Sequence, residues 1–191
     1  MLKDFLRDKG FKVYVLREPG GTTISEKIRS VLLDIKNSNM NERSEIFLYS
    51  AARAQLVYEK IIPLLREGYY VLADRYVDST TAYQGYGRGI DPEVVRLINR
   101  VATFDLMPSI TFLMDVSPRL AAQRRMKSGD IADRLEAAGE DFFERVHRGY
   151  RQIAAGEKGR FVIIEASGSI PETQQKIRKL IVSQTMDENN E

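Results

Sequence analysis

The sequence predicts an α/β domain in which a parallel sheet carries helices on its faces. Three observations support this. Four short apolar runs, Val13–Leu16, Val71–Ala73, Ile110–Met114 and Phe161–Ile164, have the length of strands. Their apolarity is continuous rather than alternating, as in strands buried on both faces of a parallel sheet. Long segments of helical period separate them, which argues for right-handed crossovers in one wound sheet. The 191 residues are expected to form a single domain, 1–191, large enough to bury a substantial core.

The elements follow in order. Leu2, Phe5 and Leu6 form an apolar helical stripe that Gly10 ends, so the chain opens within a helix rather than a strand. After the first strand, Thr23 to about Lys36 places Ile24, Ile28, Val31, Leu32 and Ile35 on one face, and Thr23 with Glu26 is expected to form a capping box. Glu42 to about Glu67 reads as one long helix carrying Ile46, Tyr49, Ala52, Arg53 and Leu56, which Pro63 should bend or break before Gly68. Asp91 with Pro92, and Ser117 with Pro118, have the cap-then-proline signature of helix starts. Asp141 to about Ala155 and Pro171 to about Gln184 complete the helices. Between them Lys127–Glu140, KSGDIADRLEAAGE, is charged and bracketed by Gly129 and Gly139, and is expected to be a mobile loop.

Composition narrows the function. With 29 basic and 27 acidic residues the net charge is +2, which gives no general argument for nucleic acid or an anionic membrane. There is no cysteine and one histidine, His147, so thiolate chemistry and a histidine-built metal site are excluded, and His147 reads as structural. No apolar run approaches the roughly 18 residues that span a bilayer. The opening MLKDFLRDKG is too charged for a secretory signal, and the chain reads as cytoplasmic.

Four constellations can carry chemistry. Tyr70–Ala73 ends in Asp74 and Arg75, with Ser79, Thr80, Thr81, Tyr83 and Gln84 close behind. An acid at the end of a buried strand suits Mg²⁺ in phosphoryl transfer, and an adjacent guanidinium suits phosphate. Arg17-Glu18-Pro19-Gly20-Gly21-Thr22 follows the first strand, where glycines let backbone approach a ligand and a helix start offers free N–H groups. Tyr49 and Arg53 are four residues apart on one helical face and could sandwich and edge-bond a nucleobase. Arg124, Arg125, Lys127 and Arg134 surround the expected loop, as in a lid that closes on phosphates. Each has a structural alternative: a turn with a salt bridge, an Asp–Arg pair, a half-buried helix surface, a solvated charge run.

Taken together these segments resemble thymidylate kinase. REPGGT at 17–22, EKIR at 26–29, YSAAR at 49–53, ADRYVDSTTAYQG at 73–85 and DRLE at 133–136 fall in that family's order and spacing across essentially the whole chain. The resemblance implies a three-layer nucleoside monophosphate kinase fold and transfer of the γ-phosphoryl group of ATP to dTMP with Mg²⁺. It implies that Tyr49 stacks on thymine, Arg53 bonds a base carbonyl, and Thr80 and Gln84 contact the base. Tyr83 would crowd a ribose 2′-hydroxyl, Arg75 would hold the acceptor phosphate with Arg29 nearby, and Glu18 and Pro19 would line the pocket, the bond before Pro19 being a candidate for cis. Asp74 would act at the metal. Arg125, Lys127 or Arg134 would bring lid charge to the donor phosphates. A homodimer is implied as well. Sibling enzymes acting on another monophosphate, and an inactive nucleotide-binding protein, remain as alternatives.

One part of the family pattern is missing. No G-x-x-x-x-G-K-[ST] phosphate loop occurs in the 191 residues. Relative to the family, about 20 residues are expected to be absent: a strand, that loop and a helix start. The expectation is that Met1 is internal to a longer kinase, with a fragment or a naturally short binder as alternatives, and that the 191 residues alone are inactive. The absent strand would lie between those at 70–74 and 110–115, leaving two apolar strands facing a gap.

Overall fold

The computed structural model describes residues 1–128, 134–135 and 138–187, apart from the side chains of Arg125, Ser128 and 183–187. Helix α1 (Leu2–Asp8) leads into β1 (Val13–Arg17), α2 (Thr23–Leu33) and α3 (Glu42–Leu56). A wide π turn (Val57–Ile61) and α4 (Ile62–Arg66) bring the chain to β2 (Tyr70–Asp74). Then come α5 (Val77–Thr80), a second π segment (Thr81–Gly87), α6 (Pro92–Thr103), β3 (Thr111–Asp115) and α7 (Pro118–Ser128). Helix α8 (Glu140–Gly156), β4 (Phe161–Glu165) and α9 (Ile170–Asp187) complete the order. All four predicted strands are present.

Among the described residues every strand pairing is parallel, as the βα alternation predicts. β1 pairs with β2 in the register Val13↔Tyr70 to Arg17↔Asp74, and β3 with β4 from Thr111↔Phe161 to Asp115↔Glu165. The two pairs are separate: β2 and β3 share no ladder, and among the described residues neither has a second partner. The gap expected between 70–74 and 110–115 is thus present. Burial on both faces is only partly met: Val13, Leu16, Phe161 and Ile164 are buried, but Tyr14, Val15, Tyr70, Met114 and Ile163 remain 38–49% exposed.

Local chemistry sets the helix boundaries. The N-cap of α2 is Thr22 rather than Thr23: its hydroxyl accepts from the Ser25 N–H at 3.1 Å. Glu26 does not close a capping box but reaches back to the Gly21 N–H (2.7 Å) and to Arg17 (3.2 Å). The expected helix 42–67 is one path with a changed winding. Pro63 has no N–H to donate, and the chain widens into a π turn before restarting as α4 with Pro63 in its first turn. Asp91 caps α6 by accepting from the Glu93 and Val94 N–H groups, and Ser117 accepts from the Leu120 N–H at the start of α7.

Two hydrophobic clusters fix these pieces. Leu16, Leu56, Val57 and Ile61 pack β1 against α3 and the π turn. Ala82, Phe142 and Val146 pack α8 against the second π segment. The two strand pairs are joined by charge: Arg160, just before β4, donates to both Asp78 oxygens on α5 (2.7 and 2.8 Å) and to Thr111 on β3 (2.8 Å).

Candidate active site

The carboxyl ends of β1 and β2 lie side by side, which is where open α/β sheets bind ligands. Arg17 and Asp74 are register partners, and the Glu18 N–H extends the pairing by donating to the Asp74 carbonyl at 3.0 Å. The chain then turns through a cis Glu18–Pro19 bond. Gly20 and Gly21 have φ of +137° and +89°, a region that disfavours other residues. A Cβ on Gly20 would sit 2.5 Å from both Arg17 Nη1 and Glu26 Oε1, and one on Gly21 2.8 Å from Leu56 Cδ1. Arg17 and Arg29 both donate to the Pro19 carbonyl, at 3.0 and 2.9 Å. The turn is therefore clamped by two guanidinium groups.

Behind the turn sits a buried ion pair. Arg53 Nε donates to Glu18 Oε2 at 2.8 Å and Nη2 lies 2.6 Å from the same oxygen, while Nη1 donates to Thr80 Oγ1 (2.8 Å) and Asn99 Oδ1 (3.2 Å). Glu18 Oε1 is buried without a protein partner. Burial pushes the Glu18 carboxyl above the ordinary glutamate range, and the Arg53 charge and hydrogen bonds oppose that. Burial, with the nearby Glu18 carboxylate, also raises the Tyr76 phenol.

Arg75 is a non-glycine residue held at φ 70°, directly after β2. Such a backbone costs about 1–3 kcal/mol and persists where the surroundings enforce it. Its guanidinium lies over the Tyr83 ring (5.0 Å to the centroid) and donates to the Tyr83 hydroxyl at 3.3 Å. Tyr83 packs edge-on against Phe142 and Tyr150 of α8. Tyr150 shares a 2.8 Å hydrogen bond with Ser79, and burial pushes its phenol up to about 12. The Asp74 carboxylate is exposed at the strand end.

Facing these from α3, Glu45, Tyr49 and Arg53 recur at intervals of four on one helical face. Tyr49 is half-buried, and Gln84 is 2% exposed on the second π segment, a winding often found at functional sites. Gln84 Nε2 donates to Glu45 Oε1 at 2.9 Å. Arg88 adds a fork to both Glu45 oxygens at 3.1 and 3.2 Å.

The structure therefore brings Glu18, Pro19, Arg29, Arg53, Asp74, Arg75, Thr80 and Tyr83 around the ends of β1 and β2, with Tyr49 on the helix above and Gln84 behind. A cavity of about 350 Å³ borders this region, lined by Leu16, Arg17, Gly21, Glu26, Leu56 and Asp74 among others, and Tyr49, Arg53 and Gln84 are not in its wall. Two expectations meet a different arrangement. Thr80 faces the Arg53 guanidinium and is 1% exposed. Arg134, expected to bring charge to donor phosphates, is buried and pairs with Glu45 at 2.6 Å, because the C-terminal carbonyls of α2 and a carboxylate await it there. Lys127 is exposed on α7; the Arg125 side chain and residues 129–133 and 136–137 of the expected lid lie outside the described residues. Among the described residues no group of three acidic, histidine or cysteine side chains could hold a metal ion.

Sequence reasoning missed Glu45, Arg88, Asn99 and the Asp78–Arg160 pair. Glu45 was within reach, since it precedes Tyr49 by one helical turn on the same face. Asn99 and Arg160 meet the site only through tertiary packing, and no local spacing marks them.

Comparison with known proteins agrees with the geometry. The thymidylate kinase family model matches residues 1–177. A thymidylate kinase of Thermoanaerobacter sp. (strain X514) is 42% identical over 176 residues, covering 92% of this chain and 85% of that protein. Those of Prosthecochloris aestuarii (44%, covering 96% and 85%) and Geotalea daltonii (39%, covering 95% and 88%) are similarly close. With that match over most of its length, the chain belongs to the thymidylate kinase family of nucleoside monophosphate kinases.

Proposed function

We propose that the ends of β1 and β2 form an acceptor site for dTMP, and that the reaction served is transfer of the γ-phosphoryl group of ATP to it, giving dTDP. The observation that carries this reading is Arg75. It is a guanidinium on a strained backbone at a strand end, stacked on Tyr83 and adjacent to Asp74. Strain of this kind marks functional sites, and a planar fork suits a phosphate monoester. Tyr49 supplies a ring for the base, Tyr83 a wall for the sugar, and Arg29 and the clamped Pro19 turn the floor of the phosphate pocket. Phosphoryl transfer asks for positioning and charge neutralisation more than covalent help, and these residues are of that kind.

Mg²⁺ and ATP complete the proposal. Mg²⁺ usually keeps several waters and takes one or two carboxylates together with substrate phosphates, which an exposed Asp74 fits. When bound, the ion would neutralise charge on the donor phosphates. The 191 residues hold no G-x-x-x-x-G-K-[ST] sequence, so by themselves they are proposed to bind dTMP without appreciable turnover. A homodimer is part of the same reading: Leu97 and Val101 on α6 and Phe104 just after it are 56–69% exposed, and Tyr58 beside Phe104 is 69% exposed, an apolar face of the kind that subunits cover. Among the described residues no helix is long and apolar enough to cross a membrane, and a cytoplasmic location is part of the same proposal.

Calorimetric titration of the 191-residue protein with dTMP, dCMP and dGMP, followed by an assay with ATP and Mg²⁺, tests this. The expected outcome is binding of dTMP in preference to the others. Equal or weaker affinity for dTMP would remove the thymine assignment, and turnover by these 191 residues would show the phosphate loop to be dispensable.

A further inference from the structure

Glu45 is fully buried, yet it is one of the most highly connected carboxylates in the molecule. Its Oε1 accepts from Gln84 Nε2 and Arg88 Nε, and its Oε2 from Arg88 Nη2 and Arg134 Nη1 at 2.6 Å. Burial alone would raise this carboxyl, but the hydrogen bonds from Arg88 and Gln84, the Arg88 charge and the Arg134 bond together hold it below the ordinary glutamate range. Arg134 is itself fixed. Its Nε donates to the Leu32 carbonyl at 2.8 Å and its backbone N–H to that of Leu33 at 3.4 Å, carbonyls at the end of α2 that lack helical partners and favour a cation.

We propose that Glu45 is a specificity-positioning residue for the acceptor base, and that Arg88 and Arg134 hold it in place. An ionised carboxylate accepts hydrogen bonds and cannot donate. Only the NH₂ end of the Gln84 amide can therefore face Glu45, so the choice between the two amide orientations is made by chemistry. What remains to meet a base is the Gln84 carbonyl oxygen. That acceptor matches the N3–H of thymine and opposes the N3 lone pair of cytosine. Glu45 touches no ligand in this scheme; it acts through Gln84. Arg134 acts one step further back, as a support of the carboxylate rather than a ligand of donor phosphates. The inference rests on the dTMP reading above.

The test is the ratio of dTMP to dCMP affinity in the wild-type protein and in the Glu45→Gln, Arg134→Met and Arg134→Lys variants, with melting curves and ATP titrations alongside. A glutamine at 45 can pair with Gln84 in either orientation, so Glu45→Gln should lower the ratio about tenfold, the worth of one directed hydrogen bond. Arg134→Met should lower it less, about threefold, and Arg134→Lys should restore most of it. A purely structural Glu45 would lower the melting temperature and leave the ratio unchanged, which would overturn the proposal. Arg134→Met that weakens ATP and spares the ratio would return Arg134 to the donor side and overturn its supporting role. If Glu45→Gln does not fold, the Arg134 pair decides. Wild-type protein that binds neither nucleotide refutes the dTMP reading and this inference with it, whereas wild type that discriminates while Glu45→Gln discriminates equally refutes only the inference.

Discussion

Replacing Arg53 with methionine should be among the most damaging single changes in this protein. The side chains of Arg53 and Glu18 are 2% and 4% exposed, and the guanidinium makes contacts of 2.6 and 2.8 Å with the carboxylate. Arg53→Met would leave Glu18 buried without a counter-charge and strip Thr80 and Asn99 of a donor. Breaking one side of such a pair costs about 3–5 kcal/mol, whereas replacing both sides with apolar groups of similar volume is often near neutral. In a chain of 191 residues that loss corresponds to a fall of about 6–20 °C in melting temperature. Urea unfolding of wild type, Arg53→Met, Glu18→Leu and the double variant gives the cycle, provided each transition is two-state. The double variant should recover about 2 kcal/mol relative to Arg53→Met. Since burial raises the Glu18 carboxyl and nothing opposes it without Arg53, the cost of Arg53→Met should also grow as pH rises from about 5 to 8. A single-variant loss below about 1 kcal/mol, or a double variant less stable than Arg53→Met, would refute the reasoning.

Other outcomes follow from the same contacts. Glu45 has a folded pKa below its ordinary 4.5, so its contribution to stability is fully present above about pH 4.5 and is lost as pH falls through the lowered folded value; urea midpoints from about pH 6 to 3 should show this in wild type and much less in Glu45→Gln. Arg160→Met removes the charged hydrogen bonds that tie β4 and β3 to α5 and should cost about 2–3 kcal/mol by the same measurement. Gly149→Ala would place a Cβ 2.7 Å from the Cβ and ring of Tyr86; it should lose about 1–3 kcal/mol through overpacking of α8 on the second π segment.

The fold was legible in the sequence wherever the signal was local. The four apolar runs became strands, and Asp91–Pro92 and Ser117–Pro118 became helix starts, because capping and strand burial leave marks within a few residues. The N-cap of α2 was misread by one position: Thr22 and Thr23 carry the same side chain, and the structure caps with Thr22 while Glu26 bonds Gly21 and Arg17 instead. Pro63 announced an irregularity, but its form, a wide π turn placed before the proline, depends on packing of Leu56, Val57 and Ile61 against β1. The candidate-site residues from 17 to 29 and 73 to 84 were visible as motifs of charge and glycine at strand ends. The partners that orient them were not. Asn99 reaches Arg53 across 46 residues of sequence and Arg134 reaches Leu32 across 102, distances at which spacing carries no information. Arg134 itself was visible as a charge, and the buried carboxylate it pairs with on α3 was not.

A crystal structure of the protein soaked with dTMP would test the central claim most directly. The phosphate is expected within hydrogen-bonding distance of the Arg75 guanidinium, the thymine against Tyr49, and the Gln84 carbonyl oxygen facing N3. Nucleotide density elsewhere on the surface, or a phosphate held without Arg75, would contradict it.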